Sequence, residues 1–385
     1  MLKYIFIVFF LSSFMFAKGQ TPGYQQVDST SYSLYLSGNW VHLIRYGKEA
    51  VAQGIDFPFL RLRLGYAQFI TGNYAGAISQ YGQVLKQDAN NQTANYYTYL
   101  CNSYLNREDA AYRQLALVDD STFAAKPSPF RLISATIENS VKSSPNPFRG
   151  KANYARLELI TQLGHYLQLD QSVAHFVQRI NFRRRGLLIN NSVKEYEYFG
   201  KLNYSLNSSF SLFGVYHYLN TQYRQNLYHN NLGIAGFKYS SGYTTWQADA
   251  DLGKISGTFF QQYNAQLSVY PKGNLNLYFT SRGSVLQQGA TKFVFSQTAG
   301  TKLLKHFWVE ASVTFGTLEN YLESDGLYVY NAIDITKFKT GGTGYYDLGN
   351  HLGLYVNYTL EKKNDLYRDT FYQQHSVTAG LTWKF

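Results

Sequence analysis

The chain has 385 residues, including 36 Tyr, 27 Phe and 31 Gly, with 15% charged residues and a formal net charge of +11. Its one cysteine, Cys101, excludes an internal disulfide, so hydrogen bonds and packing must stabilise the fold. The charge is uneven: residues 21–130 are neutral overall, whereas residues 131–385 carry 25 Lys or Arg against 16 Asp or Glu. A basic second part suits anionic solutes or anionic lipopolysaccharide, or it only keeps loops soluble.

The first segment predicts a signal peptide over residues 1–19. Lys3 precedes an almost wholly apolar run, and Ala17 and Gly19 stand where a signal peptidase reads small residues, so cleavage is expected just before Gln20. The run is too short to span a bilayer comfortably, and the sequence has no other run of about 18 apolar residues, so a membrane protein must here be a barrel. Nucleic acid is not an expected partner of a secreted chain.

Residues 20–127 are predicted to form a helical module. Residues 64–91 read LGYAQFITGNYAGAISQYGQVLKQDANN and resemble the tetratricopeptide (TPR) pattern. A period of 34 residues relates this unit to two weaker copies, which predicts stacked helical hairpins that bind a partner protein on a concave face. The expected scaffold residues are Gly38, Trp40, Leu64, Gly65, Gly72, Tyr74, Ala77, Tyr81 and Ala111.

Residues 128–385 are predicted to form an antiparallel transmembrane β-barrel. Residues 246–252, 309–315 and 352–360 alternate between apolar and polar side chains, as a wall between lipid and a wet lumen requires. Tight connections, the first near Asp170, alternate with longer ones such as 183–194 and 318–334. The count gives about 14 strands, with 12 or 16 as alternatives and both ends on the periplasmic side. The whole chain is therefore predicted to be a multidomain α + β protein.

The last ten residues alternate most clearly, with Val377, Ala379, Leu381, Trp383 and Phe385 on one face. Outer-membrane barrels of Gram-negative bacteria typically end in such a strand with a terminal Phe, and this ending resembles theirs. Trp383 and Phe385 are therefore the expected C-terminal barrel signal.

Several charged residues are predicted to face the lumen. Charges of both signs would make a salt-bridged wall that lines a channel or helps to plug it, or they would only reflect the polarity of inward positions. These candidates are Arg156, Glu158, Arg179, Glu195, Glu197, Asp249, Asp251, Arg282 and Glu310.

No catalytic, cofactor-binding or metal-binding residues are expected. The eight histidines are scattered, and none lies in a recognisable nucleophile or metal motif. No phosphate-binding glycine loop is present either. The chain is therefore predicted not to be an enzyme.

The order of signal peptide, short TPR module and Tyr-rich barrel resembles the YaiO-like outer-membrane proteins, especially those of Bacteroidota. The supporting stretches are residues 310–320, 353–363 and 378–385. The resemblance implies outer-membrane placement and little about activity. Because the module precedes the first strand and both ends of the barrel are expected on the periplasmic side, the module is expected in the periplasm. The expected partners are outer-membrane lipid, lipopolysaccharide, a periplasmic protein and the barrel assembly machinery. The same architecture with longer TPR arrays occurs in exporters of cellulose and poly-N-acetylglucosamine.

Three functions follow as hypotheses. The first is a non-enzymatic barrel with a periplasmic protein-docking module, serving envelope transport or polysaccharide export. The second is a closed barrel that only anchors the module, and the third is a lipid-modifying enzyme. The sequence leaves open the solute, the partner, the oligomeric state and whether loop 318–334 enters the lumen.

Overall fold

The computed structural model describes residues 23–122, 126–184 and 187–385, without the side chains of residues 183–188. The expected signal peptide lies outside these residues. Six helices precede the strands in the described part of the chain. They are α1 Tyr24–Leu36, α2 Trp40–Ala52, α3 Pro58–Ile70, α4 Tyr74–Gln87, α5 Gln92–Tyr104 and α6 Glu108–Leu115.

The helices form three hairpins with the predicted period. The odd-numbered helices begin at residues 24, 58 and 92 and the even-numbered ones at 40, 74 and 108, so both series repeat every 34 residues. The turn inside each hairpin has one residue of positive φ: Gly38 (+67°), Gly72 (+76°) and Asn106 (+53°). Gly and Asn tolerate this left-handed conformation, which explains why the turns recur at these positions.

Small residues let the helices of a hairpin approach closely. A Cβ added at Gly65 would lie 2.7 Å from the ring of Tyr81, which is fully buried. Tyr81 in turn stacks on Tyr97 of α5, with ring centroids 5.6 Å apart. Ala77 and Ala111 are also fully buried. The side chains of these residues therefore pack within and between hairpins. We refer to α1–α6 as the helical module.

Fourteen described strands close into one antiparallel barrel, the number expected from the sequence. Each barrel strand pairs with the next barrel strand in the chain, so that β11 pairs with β14, and β1 pairs with β16 to close the ring. Two short strands, β12 and β13, pair only with each other. The strands are β1 Phe130–Ser143, β2 Arg149–Leu163, β3 Leu167–Arg184, β4 Leu187–Ser205, β5 Phe210–Tyr223, β6 Asn226–Ser241, β7 Thr244–Ile255, β8 Thr258–Val269, β9 Leu277–Gln288, β10 Ala290–Leu304, β11 Phe307–Leu318, β12 Tyr321–Glu323, β13 Tyr328–Tyr330, β14 Ile335–Leu348, β15 Leu352–Asp365 and β16 Thr370–Lys384.

Alternating side chains give the barrel a mostly apolar outer face and a mostly polar inner face. In β7, Trp246 and Leu252 are exposed on the outside, whereas Asp249 and Asp251 are buried on the lumen side. In the last strand, Trp383 lies on the outer face beside the ring of His351, and the terminal Phe385 is half exposed. No helix in the described residues is long and apolar enough to cross a membrane.

Most connections are short at both ends of the barrel. One end, which we call the module end, has the connections after β2, β4, β6, β8, β10 and β14, the longest of which is residues 270–276. The first of these connections lies at residues 164–166 rather than near Asp170, which is part of β3.

The opposite end, which we call the far end, was expected to have the longer connections, but this was wrong for residues 224–225, 256–257 and 289, which are tight turns. At the far end, the predicted loop 183–194 is largely strand, because β3 and β4 stay paired up to the Arg184 and Leu187 positions. The insertion between β11 and β14 is long, as expected.

The helical module is seated on the module end of the barrel. The α3–α4 turn meets the β8–β9 turn, where the Ala75 N–H donates to the Gly273 carbonyl (3.0 Å) and Asn274 Nδ2 donates to the Gly72 carbonyl (2.7 Å). Asn73 also donates to the Tyr243 hydroxyl (2.8 Å). The inner turn of the second hairpin is thus a contact surface for the barrel.

The third hairpin adds two arginine contacts. The Arg107 guanidinium lies over the ring of Tyr270 (5.6 Å to the centroid) and donates to the Thr245 hydroxyl (3.3 Å). Arg113 of α6 lies over the ring of Tyr166 at 5.2 Å. Cations over aromatic faces are attracted by the ring quadrupole, so these pairs hold the module against the turns.

Candidate functional site

The insertion between β11 and β14 folds back into the barrel. Residues 319–334, which we call the lumen hairpin, contain β12 and β13 joined by a tip at Ser324, Asp325 and Gly326. All three tip residues have positive φ, between 54° and 82°. The hairpin starts at the far end, and its tip contacts Lys201 and Gln247, which lie near the module ends of β4 and β7. It therefore runs through most of the lumen.

The tip is held by one carboxylate among several cations. Asp325 accepts from Lys201 Nζ (2.7 Å), Gln247 Nε2 (2.6 Å) and Arg282 Nη1 (3.2 Å). Lys238 Nζ lies 3.9 Å from the same carboxylate. These partners come from four strands, so one side chain ties the tip to a wide sector of the wall. A buried charge is stable only when it is paired in this way.

An apolar part of the wall receives the flank of the lumen hairpin. Leu322 is fully buried there, and Leu327 and Val329 pack against the same cluster. The wall residues of this cluster point inward from β4 to β8. They are Phe199, Phe213, Val215, Leu219, Leu232, Ile234, Ile255 and Phe260.

The first and last residues of the lumen hairpin, Glu319 and Asp334, are bound to the barrel wall at the far end, and we call them its roots. Arg149 binds both oxygens of Asp334 (2.5 and 2.6 Å), and the Tyr372 hydroxyl donates to the same carboxylate (2.6 Å). Burial alone would raise the pKa of Asp334, but the bonds from Arg149 and Tyr372 hold it below its usual value. At the other root, Glu319 accepts from Lys292 (2.6 Å). The lumen hairpin is thus fixed at its tip and at both roots.

A cavity of about 880 Å³ remains beside the lumen hairpin, and we call it the side cavity. Its lining includes Tyr223 and Lys363 near the far end and Asp347 and Lys384 near the module end. Polar side chains of β1, β2, β11 and β14–β16 form most of its wall, with the hairpin strands as the opposite wall. The hairpin therefore fills one side of the lumen and leaves a polar cavity on the other.

The structure places the candidate lumen charges in three positions: along the side cavity, under the hairpin tip and, for Arg179, on the outer face. Arg156, Glu158, Glu195, Glu197 and Glu310 line the side cavity. Asp249, Asp251 and Arg282 lie inward under the hairpin tip, where Arg282 Nη2 donates to Asp249 (3.0 Å).

The placement of Arg179 was wrong: it is exposed on the outer face of β3, while its neighbours Gln178 and Ile180 line the cavity. Both faces of β3 mix polar and apolar residues, so alternation does not identify the inward face there.

Sequence reasoning missed the residues that position the lumen hairpin. Glu138 lines the cavity and accepts from Arg156 (3.2 Å) and from the Tyr328 hydroxyl (3.1 Å). The apolar wall had a detectable signal, since Phe213, Val215 and Leu219 alternate with outward apolar residues and make β5 apolar on both faces. Asp325 had none, because its partners are distant in sequence.

The histidines are dispersed in the structure. His217 is fully buried in the lumen, with Nδ1 2.6 Å from the Gly326 carbonyl and Nε2 3.3 Å from Glu197. Three others sit beside tyrosines on paired strands of the outer face, as the pairs His175–Tyr196, His229–Tyr218 and His375–Tyr358. In the described part of the chain, no three His, Cys, Asp or Glu side chains form a group that could hold a metal ion.

No protein-family model and no curated protein matches the sequence. Solved structures similar to it include the TodX monoaromatic hydrocarbon channel deltaS2 mutant (9% identity, TM-score 0.46, 71% of this chain and 94% of that chain). A Pseudomonas aeruginosa FadL homologue has 8% identity and a TM-score of 0.43 over 71% and 92% of the two chains. A bacterial polysaccharide outer membrane secretin has 10% identity and a TM-score of 0.41 over 66% and 98%. Likenesses this distant carry no argument about what the chain does.

Proposed function

We propose that this chain is a non-enzymatic outer-membrane barrel that conducts solutes through the side cavity. An outer surface rich in exposed aromatic and aliphatic residues suits lipid, and a closed sheet satisfies its own backbone there. Such barrels have their long connections on the outside of the cell, and the longest described connection, residues 319–334, starts at the far end, which supports a periplasmic position for the helical module.

One observation carries the transport proposal: the polar side cavity is lined by residues from near both ends of the barrel. Envelope transport is the broader form of the proposal, and polysaccharide export is a narrower form. Among the described lining residues are seven tyrosines, whose flat rings suit a sugar chain. They are Tyr154, Tyr223, Tyr228, Tyr328, Tyr330, Tyr345 and Tyr355.

Planar-bilayer conductance of the full chain tests the proposal. We expect single channels, and we expect Ser312→Trp, which places an indole in the side cavity, to lower their conductance. Ala311→Trp is the matched control, because this neighbour on the same strand is exposed on the outer face. A silent full chain, or equal effects of the two variants, contradicts transport through this cavity. Current blockade by added oligosaccharide tests the narrower form.

The second function is a closed barrel that anchors the helical module, which would bind a periplasmic protein as a TPR-like stack. The fastening of the lumen hairpin at its tip and both roots favours this candidate. In this case the full chain shows no channels in a planar bilayer. Leu322→Asp, which puts a charge against the apolar wall, should release the hairpin and produce channels. Channels formed by the unmodified chain would contradict the anchor function.

A further inference from the structure

The charge of the side cavity is opposite to that of the protein. The described residues that line it include eight carboxylates and five Lys or Arg, in a chain whose net charge is +11. The carboxylates are Glu138, Glu158, Glu195, Glu197, Glu310, Glu323, Asp347 and Glu361, and the cations are Lys142, Arg156, Lys339, Lys363 and Lys384.

Most of the lining cations are already neutralised. Arg156 lies between two carboxylates, Glu138 (3.2 Å) and Glu158 (3.3 Å). Three lysines each lie beside one acidic partner: Lys339 with Glu323 (2.6 Å), Lys363 with Glu361 (3.5 Å) and Lys384 with Asp347 (3.5 Å). An anion entering the side cavity therefore meets cations whose charge is compensated.

Two of the described lining carboxylates, Glu310 and Glu195, accept hydrogen bonds from uncharged groups. Glu310 accepts from the Tyr278 hydroxyl (2.5 Å). Glu195 accepts from Asn331 Nδ2 (2.6 Å) and from the Thr221 hydroxyl. Hydrogen bonds from neutral groups orient these carboxylates without cancelling their charge, so the potential they set up along the cavity is negative.

From this arrangement we infer that the side cavity is a cation-preferring path, in a protein whose overall charge favours anions. Acidic side chains along a pore select cations by attracting them and by raising the electrostatic barrier for anions. The inference rests on the proposed transport function and names the class of solute that it favours: cations, including cationic organic solutes small enough for the cavity.

Reversal potentials of single channels in a KCl gradient at pH 8 test the inference. For the full-length chain we expect a permeability ratio of K⁺ to Cl⁻ above one. The triple variant Glu195→Gln, Glu197→Gln, Glu310→Gln should bring the ratio to one or below. The control Glu49→Gln, Asp119→Asn, Asp369→Asn makes the same change in net charge at exposed positions outside the cavity, and it should keep the original ratio.

A measurement on the unmodified chain covers the case in which the triple variant fails to fold. Hexaamminecobalt(III), a trivalent cation, should block the current at concentrations where the hexacyanoferrate(II) anion does not. Channels that are non-selective or anion-selective, or that the anion blocks better, overturn the inference and leave the transport function standing. Channels absent under every condition overturn the transport function itself.

Discussion

At the scale of single residues, Asp325 is the point where the lumen hairpin is tied to the barrel. Its carboxylate reaches partners on β4, β6, β7 and β9, and the two closest bonds are 2.6 and 2.7 Å long. Removing one member of a buried ion-pair network costs about 3–5 kcal/mol, because the remaining charges keep their desolvation penalty. Here the remaining charges would be Lys201, Lys238 and Arg282, of which Arg282 keeps Asp249 as a partner.

Asp325→Asn should therefore loosen the hairpin tip while leaving the barrel closed. We expect faster hydrogen exchange at the hairpin amides and larger, noisier single-channel currents. Asp369→Asn is the control, since Asp369 is exposed in the β15–β16 turn. Unchanged exchange in Asp325→Asn would mean that the apolar wall alone holds the hairpin.

A second residue, Glu108, makes the stability of the helical module depend on pH. Glu108 begins α6 and lies near Arg131 and Lys384 of the barrel; burial, with a smaller contribution from Asp109, raises its pKa to about 7. A carboxyl whose pKa rises on folding stabilises the folded form when protonated. This contribution is fully present below its ordinary pKa of 4.5 and is lost as pH rises through about 7.

Hydrogen exchange of α6, corrected for its intrinsic pH dependence, should therefore be slower at pH 5 than at pH 8. Glu108→Gln should remove the difference, while Glu49→Gln on the exposed face of α2 should keep it. A pH effect that survives in Glu108→Gln would assign it to another group.

At the scale of elements, periodicity made the strands and helical hairpins predictable. The 34-residue period and the two-residue alternation are local, so Gly72, Tyr81 and Asp249 could be placed from their neighbours in sequence. The lumen hairpin and its wall could not, because the contacts of Asp325 reach residues 43 to 124 positions away. The far-end connections were expected to be longer than they are, since strand pairing continues beyond the segments with clear alternation.

Two glycines of the helical module offer a matched pair of substitutions with opposite outcomes. A Cβ at Gly65 would lie 2.7 Å from the Tyr81 ring, whereas a Cβ at Gly82 in α4 would have nothing within 4 Å. Gly65→Ala should destabilise the module by about 1–3 kcal/mol through overpacking. Gly82→Ala should stabilise it by about 0.5–1 kcal/mol, because alanine loses less backbone entropy in a helix. Hydrogen exchange of the slowest module amides measures both changes in stability. Changes of the same sign in the two variants would contradict the packing assigned to Gly65.

At the scale of the whole molecule, the helical module meets the barrel mainly through turns inside its hairpins, with Arg113 of α6 as a further contact. Gly72, Asn73 and Arg107 belong to turns inside hairpins, and they contact the turns after β6 and β8. The first hairpin has the equivalent turn at Gly38 and Asn39, so the same kind of surface is repeated farther along the stack.

Arg107→Ala should weaken the seating of the module, since it removes the contact with the Tyr270 ring and the bond to Thr245. A cation over an aromatic ring contributes about 0.5–2 kcal/mol, so partial release is expected. Limited proteolysis between residues 116 and 129 reports it as faster cleavage, with Arg45→Ala on the exposed side of α2 as the control. Equal cleavage rates in the two variants would show that the backbone contacts at Gly273 suffice.

The lumen hairpin also links parts of the ring that are far apart in the chain. Its tip is bound by strands up to 124 residues earlier. Its second root, Asp334, is bound by Arg149 of β2 and by Tyr372 of β16, the two strands on either side of β1. Opening the seam between β1 and β16 would move Tyr372 away from Arg149 and would leave Asp334 with only part of its bonds. The hairpin therefore reinforces the closure of the ring from the inside.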